Sequence, residues 1–121
     1  MESNNIEKLH EEHLEWMEEI TAWHNELVYY NRVLLRLVEG AKEGEDTEKM
    51  EEFKSRFDNL EDLFVKTKRS IEIHEAHLND AAAESHTDKH RSMRVEMKSF
   101  KKQFLDLKND FYVFEEKFIY E

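Results

Sequence analysis

The sequence contains no cysteine, no proline and only two glycines among its 121 residues. Without cysteine, disulfides, thiolate catalysis and cysteine-based zinc or iron-sulfur sites are excluded, so imidazole, carboxylate and thioether groups remain as metal ligands. Without proline and with little glycine, long helices joined by short loops are expected, and strands are not. A chain of this length has the size of one ordinary domain, so residues 1–121 are interpreted as a single helical-bundle domain.

Long apolar runs and an excess of basic residues are also missing. No stretch approaches the roughly 20 apolar residues that a membrane helix needs, and the polar amino terminus lacks the layout of a signal peptide. Acidic residues outnumber Lys and Arg by 29 to 18, and this net charge of −11 disfavours binding to nucleic acid and to anionic membranes. We therefore expect a cytoplasmic protein with neither as a partner. No catalytic triad or nucleotide-binding motif is present, so the sequence leaves enzymatic activity undecided.

Apolar residues recur at steps of three and four in three segments, which is the pattern of amphipathic helices. The pattern predicts helices at about residues 5–39, 47–83 and 86–120. Gly40 is a suitable end for the first helix, and Ser85 with Asp88 has the spacing of a capping box at the start of the third. Long helices joined by short loops predict an all-α fold, an antiparallel up-down-up three-helix bundle.

Six of the seven histidines fall at one end of this predicted bundle. Folding the chain about the first loop places His13 level with His74, and folding it about the second loop places His77 beside His90. The histidines on each helix are three or four residues apart, so each pair projects from one side of its helix. The six residues are His10, His13, His74, His77, His86 and His90.

Buried imidazole rings are costly unless hydrogen bonds or a bound ion satisfy them, so we interpret the six histidines as a transition-metal site with one or two ions. Zinc or iron ranks ahead of copper or nickel, and the site could be structural or catalytic. Among the carboxylates, Glu84 lies nearest to the histidine side of the second helix on a helical wheel, whereas Glu75 lies further round. His24 is too far along the first helix to share an ion with His13.

The alternative is a non-enzymatic protein-interaction bundle without metal. In its pH-responsive form, the crowded imidazoles would gain charge near about pH 6 and repel one another. Apolar residues outside the inward stripe at the opposite end would then form a contact surface for a homodimer or a protein partner. These residues are Val28, Val33, Leu35, Val113 and Ile119.

Overall fold

The described residues form three α-helices in the computed structural model of the chain. The structure describes the backbone of residues 2–41, 46–77 and 83–119 and the side chains of residues 6–41, 46–77 and 88–117. Helix α1 spans Glu2–Gly40, α2 spans Thr47–Ala76 and α3 spans Ala83–Ile119. The all-α prediction is confirmed. Within the described ranges, no helix is long and apolar enough to cross a membrane.

Helix α2 is shorter than predicted. It ends at Ala76 instead of continuing to residue 83, and His77 already has turn geometry, with φ −103° and ψ 8°. Asn and Asp, the residue types at positions 79 and 80, are weak helix formers because their side chains can compete for backbone hydrogen bonds. The alanines after them have high helix propensity, which is why the sequence pattern extended the prediction too far.

Helix α3 begins earlier than predicted. Because Ala83 is its first residue, Ser85 and Asp88 both lie within the helix. The prediction of a capping box at this point is therefore wrong, because a capping residue stands outside the helical turns. The S-x-x-D spacing alone does not distinguish a helix start from a helix interior.

The contacts between helices fix their relative directions. His13 meets His74, whereas His24, further along α1, meets Glu61, which is earlier on α2. Further ring pairs are Phe53–Phe114 and Phe64–Phe100 between α2 and α3, and Trp23–Phe104 and Tyr30–Phe111 between α1 and α3. Residue numbers thus run in opposite order for α1 and α2 and for α2 and α3, but in the same order for α1 and α3. The topology is the predicted up-down-up bundle.

Large aromatic side chains fill the space between the helices. Five of the most deeply buried side chains are phenylalanines, namely Phe53, Phe57, Phe64, Phe104 and Phe111. Many of their rings meet edge to face or tilted, which are the favoured geometries of aromatic pairs. Above this core, Trp16 is buried in the layer next to the histidines. The packing of the aromatic core therefore sets the distances between the three helices, and these helices carry the histidines.

Candidate metal centre

Three histidines, one from each helix, are buried together in a single layer of the bundle. His13 of α1, His74 of α2 and His90 of α3 are all almost inaccessible to solvent. The ring centroid of His13 lies 4.9 Å from that of His74 and 5.0 Å from that of His90. The centroids of His74 and His90 are 6.1 Å apart. The level placement of His13 with His74 that the sequence predicts is therefore confirmed, but the α2 histidine that packs against His90 is His74, where the sequence predicts His77.

The other three predicted histidines are exposed or lie outside the described side chains. The side chain of His10 is 51% exposed at the edge of the bundle. His77 is exposed and lies in the turn after α2. His86 belongs to the first turns of α3, and its side chain is outside the described residues. Among the described side chains, the structure brings together four of the predicted histidines, because His10 joins the buried layer through Glu75.

Glu75 of α2 contacts two histidines of α1 with its two carboxylate oxygens. Oε1 contacts Nδ1 of His10, and Oε2 contacts Nδ1 of His13. The two rings reach one carboxylate because residues three apart lie on the same side of a helix. Burial opposes the charge of Glu75, but the hydrogen bonds from His13 and His10 outweigh it and hold the pKa of Glu75 below its usual value. Glu75 is thus an ionised group that two imidazoles share.

A second carboxylate, Glu12 of α1, stands on the opposite side of the buried layer. Its Oε2 lies 2.9 Å from Nε2 of His90. Arg94 of α3 holds both oxygens of Glu12, with Nε 2.6 Å from Oε1 and Nη2 2.9 Å from Oε2. These hydrogen bonds from Arg94 lower the pKa of Glu12 to about 2, with a smaller contribution from His90. Glu12 is therefore ionised throughout the physiological pH range.

His13 and His90 connect the two carboxylates into one chain of polar contacts. Nε2 of His13 lies 3.2 Å from Nδ1 of His90, so the chain runs from Glu75 through both rings to Glu12. The contacts of His13 with Glu75 and with His90 are hydrogen bonds, whereas Nε2 of His90 lies at ion-pair distance from Glu12 without the geometry of a hydrogen bond. The buried layer therefore lies between two ionised carboxylates.

The surroundings of His90 disfavour a positive charge on its ring. Burial lowers the pKa of His90, and the adjacent Glu12 carboxylate only partly offsets the effect of burial. The indole of Trp16 stacks on the His90 ring with centroids 4.6 Å apart, which keeps water from that face. A cation is therefore disfavoured at His90, whereas on the other side of His13 the ionised Glu75 contacts two imidazoles.

The sequence prediction missed both carboxylates that contact the histidines. On a helical wheel Glu75 lay further from the histidine side than Glu84, whose side chain is outside the described residues. The available signal was that Glu12 and Glu75 directly adjoin the inward histidines His13 and His74 in the sequence. Among the described side chains, no group of three or more His, Asp or Glu residues is placed so that it could hold a metal ion. The donors contact one another instead.

His24 and the apolar end of the bundle lie apart from this site. Half-buried His24 has its own carboxylate partner, with Nε2 3.2 Å from Oε1 of Glu61. Of the predicted contact surface, Leu35 and Val113 are 47% and 62% exposed. The remaining members are Val28 and Val33, which are half-buried, and Ile119, whose side chain lies outside the described residues. Only part of that predicted surface is therefore open to a partner.

The chain was compared with protein-family models, with curated proteins and with solved structures. None of the three comparisons gives a match. A function for this chain therefore rests on its own side chains, and above all on the contacts that join His10, His13 and Glu75.

Proposed function

We propose that this protein is a metal-binding helical bundle in which a divalent transition-metal ion binds between Nδ1 of His10, Nδ1 of His13 and the carboxylate of Glu75. One observation carries the proposal: a single ionised carboxylate of α2 contacts two imidazole nitrogens from one side of α1. Two imidazoles and one carboxylate are a donor set that zinc and non-haem iron use in proteins, so these two metals rank ahead of copper and nickel.

The contact between His13 and His90 supports the same position for the ion. An ion on Nδ1 of His13 leaves the proton of that ring on Nε2, from which it is donated to Nδ1 of His90. The ring of His13 then stays neutral although it is buried, and both of its nitrogens have a partner. Uptake of the ion replaces the contacts of Glu75 with the two histidines by metal bonds of about 2.0–2.2 Å.

The exposure of the ligands supports entry of the ion from solvent. The side chains of His10 and Glu75 are 51% and 32% exposed, whereas His13 is buried behind them. An ion held by these three groups keeps coordination positions for water on the open side, as catalytic zinc and iron sites do. We assign no reaction to it. A second ion at this end would use the other predicted ligands, namely His74, His77, His86 and His90.

The substitution Glu75→Gln tests this site while keeping the shape of the side chain. We expect it to weaken Zn²⁺ binding by more than the roughly 10- to 100-fold that substitutions outside the ligand shell cause, because the only anionic ligand is lost. The measurement is a competition titration of Zn²⁺ against a chromophoric chelator. Glu61→Gln is the matched control, since it removes a carboxylate of α2 that contacts a single histidine, His24. Equal affinities of the two variants would overturn the proposed site.

A second candidate is the protein-interaction bundle, favoured by the exposed apolar side chains near one end. Leu35, Val38, Tyr112 and Val113 are all at least 47% exposed. The titration separates the two candidates: a wild-type chain that takes up no Zn²⁺ but sediments as a dimer supports the interaction bundle. The net charge of −11 opposes self-association, so the apolar contact would have to outweigh it. A cytoplasmic location and the lack of a nucleic-acid partner stay predictions.

A further inference from the structure

We propose that two copies of this chain form a two-fold symmetric dimer in which the basic side of α3 of each copy packs against the acidic side of α1 of the other. The proposal goes beyond metal binding and does not rest on it, because His10 and Glu75 meet between α1 and α2. It also differs from a contact through the apolar end of the bundle, because charged side chains along α1 and α3 determine the partner.

Charges of opposite sign are separated onto two segments of the bundle. Residues 7–26 of α1 contain seven acidic side chains and one lysine. Residues 89–108 of α3 contain seven Lys and Arg side chains and only two acidic ones. The second segment is therefore a basic region in a chain whose net charge is −11, and it is complementary to the first.

Two ion pairs show that these segments lie level with each other. Arg94 contacts Glu12, with Nε 2.6 Å from Oε1. Lys108 contacts Glu26, with Nζ 2.9 Å from Oε1. The partners are 82 residues apart in both pairs, so a residue of α3 lies level with the α1 residue 82 positions before it. The acidic and basic segments thus run side by side along their full length.

Exposed charges of both segments lie on the side of the bundle where α1 and α3 meet. Glu15 and Glu19 lie three and seven positions after Glu12 and therefore on its side of α1. Lys98 and Lys102 lie four and eight positions after the arginine that contacts Glu12, and therefore on its side of α3. All four side chains are exposed, and within the described part of the chain no ion pair includes any of the four. Their charges are available to a second copy.

A two-fold axis parallel to the helices brings each acidic segment over the basic segment of the other copy. This rotation exchanges the positions of α1 and α3 but leaves every residue at its own level. Glu15 of one copy then lies within one position of Lys98 of the other, and Glu19 lies within one position of Lys102. The same contact forms twice, as in any two-fold interface. These close attractions act at short range, whereas repulsion between the two net charges is screened by salt.

Exposed apolar side chains extend the complementary surface toward the other end of the two helices. Tyr29 of α1 and Tyr112 of α3 are 62% and 63% exposed, and Leu105 of α3 is 45% exposed. By the same offset of 82 residues, Tyr29 of one copy lies within one position of Tyr112 of the other. Burial of these rings supplies the apolar contact, since exposed ion pairs alone contribute little to affinity.

Charge reversal tests the dimer in sedimentation experiments on the full chain. One variant carries Lys98→Glu and Lys102→Glu, and the other carries Glu15→Lys and Glu19→Lys. We expect each variant alone to dimerise at least about 100-fold more weakly than the wild-type chain, because like charges face each other in both contacts. An equimolar mixture of the two variants should form a dimer again, since both contacts then join opposite charges.

A third variant is the control for the change in net charge. Lys49→Glu with Lys66→Glu makes the same change on α2, where the two side chains are 52% and 72% exposed. We expect it to dimerise more tightly than the variant with reversed charges on α3. Equal weakening of these two variants would contradict the proposed surface.

Three further results would overturn the dimer. The first is a wild-type chain that stays monomeric at concentrations up to about 1 mM. The second is a dimer that both charge-reversed variants retain, which would place the contact elsewhere, for example at the apolar end. The third is a mixture of the two variants that stays monomeric although circular dichroism shows both to be helical.

Discussion

Replacing His13 by alanine should lower the affinity for Zn²⁺ by at least about 100-fold, above the range found for substitutions outside the ligand shell. The effect is large because, in the proposed site, His13 is a ligand through Nδ1, and its Nε2 is held by a hydrogen bond with His90. Both functions disappear with the ring, whereas His10 and Glu75 alone provide only two ligand side chains. The affinity is measured by competition against a chromophoric chelator in buffer free of other metals.

His24→Ala is the matched control for this experiment. His24 lies on the same helix, is half-buried and also contacts a carboxylate of α2, with Nε2 3.2 Å from Oε1 of Glu61. Loss of this ring should leave Zn²⁺ affinity within about twofold of the wild-type value, because the site is roughly 16 Å away along α1. If His13→Ala and His24→Ala bind Zn²⁺ equally well, and circular dichroism shows both to be helical, His13 is not a ligand.

The largest expected effect on stability comes from Phe64→Ala. The Phe64 side chain is 0% exposed, and its ring lies 5.9 Å from the ring of Trp23 and 6.2 Å from those of Phe100 and Phe104. Removing a phenylalanine ring from such a position lowers the free energy of unfolding by about 3–5 kcal/mol, through lost burial and the cavity left behind. Urea denaturation followed by circular dichroism gives this free energy.

The residue next to Phe64 in the sequence provides the control for the substitution in the core. Val65 is 52% exposed on the outer side of α2, so Val65→Ala should change the free energy of unfolding by less than about 0.5 kcal/mol. A similar small change for Phe64→Ala would mean that α2 does not place Phe64 between α1 and α3. The register that sets His74 beside His13 would then be wrong as well, because both depend on the same packing of α2.

Helical periodicity and short loops were sufficient to predict much of the candidate site. The inward stripes of the three segments pass through His13, His74 and His90, and antiparallel folding about the first loop brings the first two level. These features follow from backbone geometry, which is the same for every helix. They can therefore be predicted from the sequence without knowing which side chains contact one another.

The carboxylates could not be predicted in the same way. A helical wheel records only the direction of the Cβ atom, whereas a glutamate can extend over several ångströms along the surface of its helix. Glu75 and Glu12 reach the histidines because the facing rings and Arg94 attract their charge across the seams between the helices. Attraction of this kind depends on the packed structure and leaves no periodic signal in the sequence.

The apolar pattern of the sequence also does not predict where α2 ends. Periodicity continued through Leu78 and the alanines that follow, but the helix stops at Ala76. Where a helix ends near a loop depends on small differences between backbone hydrogen bonding and turn formation, which the apolar pattern does not report. The error shifts the predicted loop but not the positions of His74 and Glu75, which still lie on α2.

The most direct test of the metal site is anomalous X-ray diffraction at the zinc edge from crystals of the untagged protein grown with Zn²⁺. We predict one strong anomalous peak about 2.0–2.2 Å from Nδ1 of His10, Nδ1 of His13 and a carboxylate oxygen of Glu75. No peak of comparable height is expected beside His24. Absence of a peak between His10, His13 and Glu75, or peaks confined to exposed carboxylates elsewhere on the surface, would contradict the assignment of this chain as a metal-binding bundle.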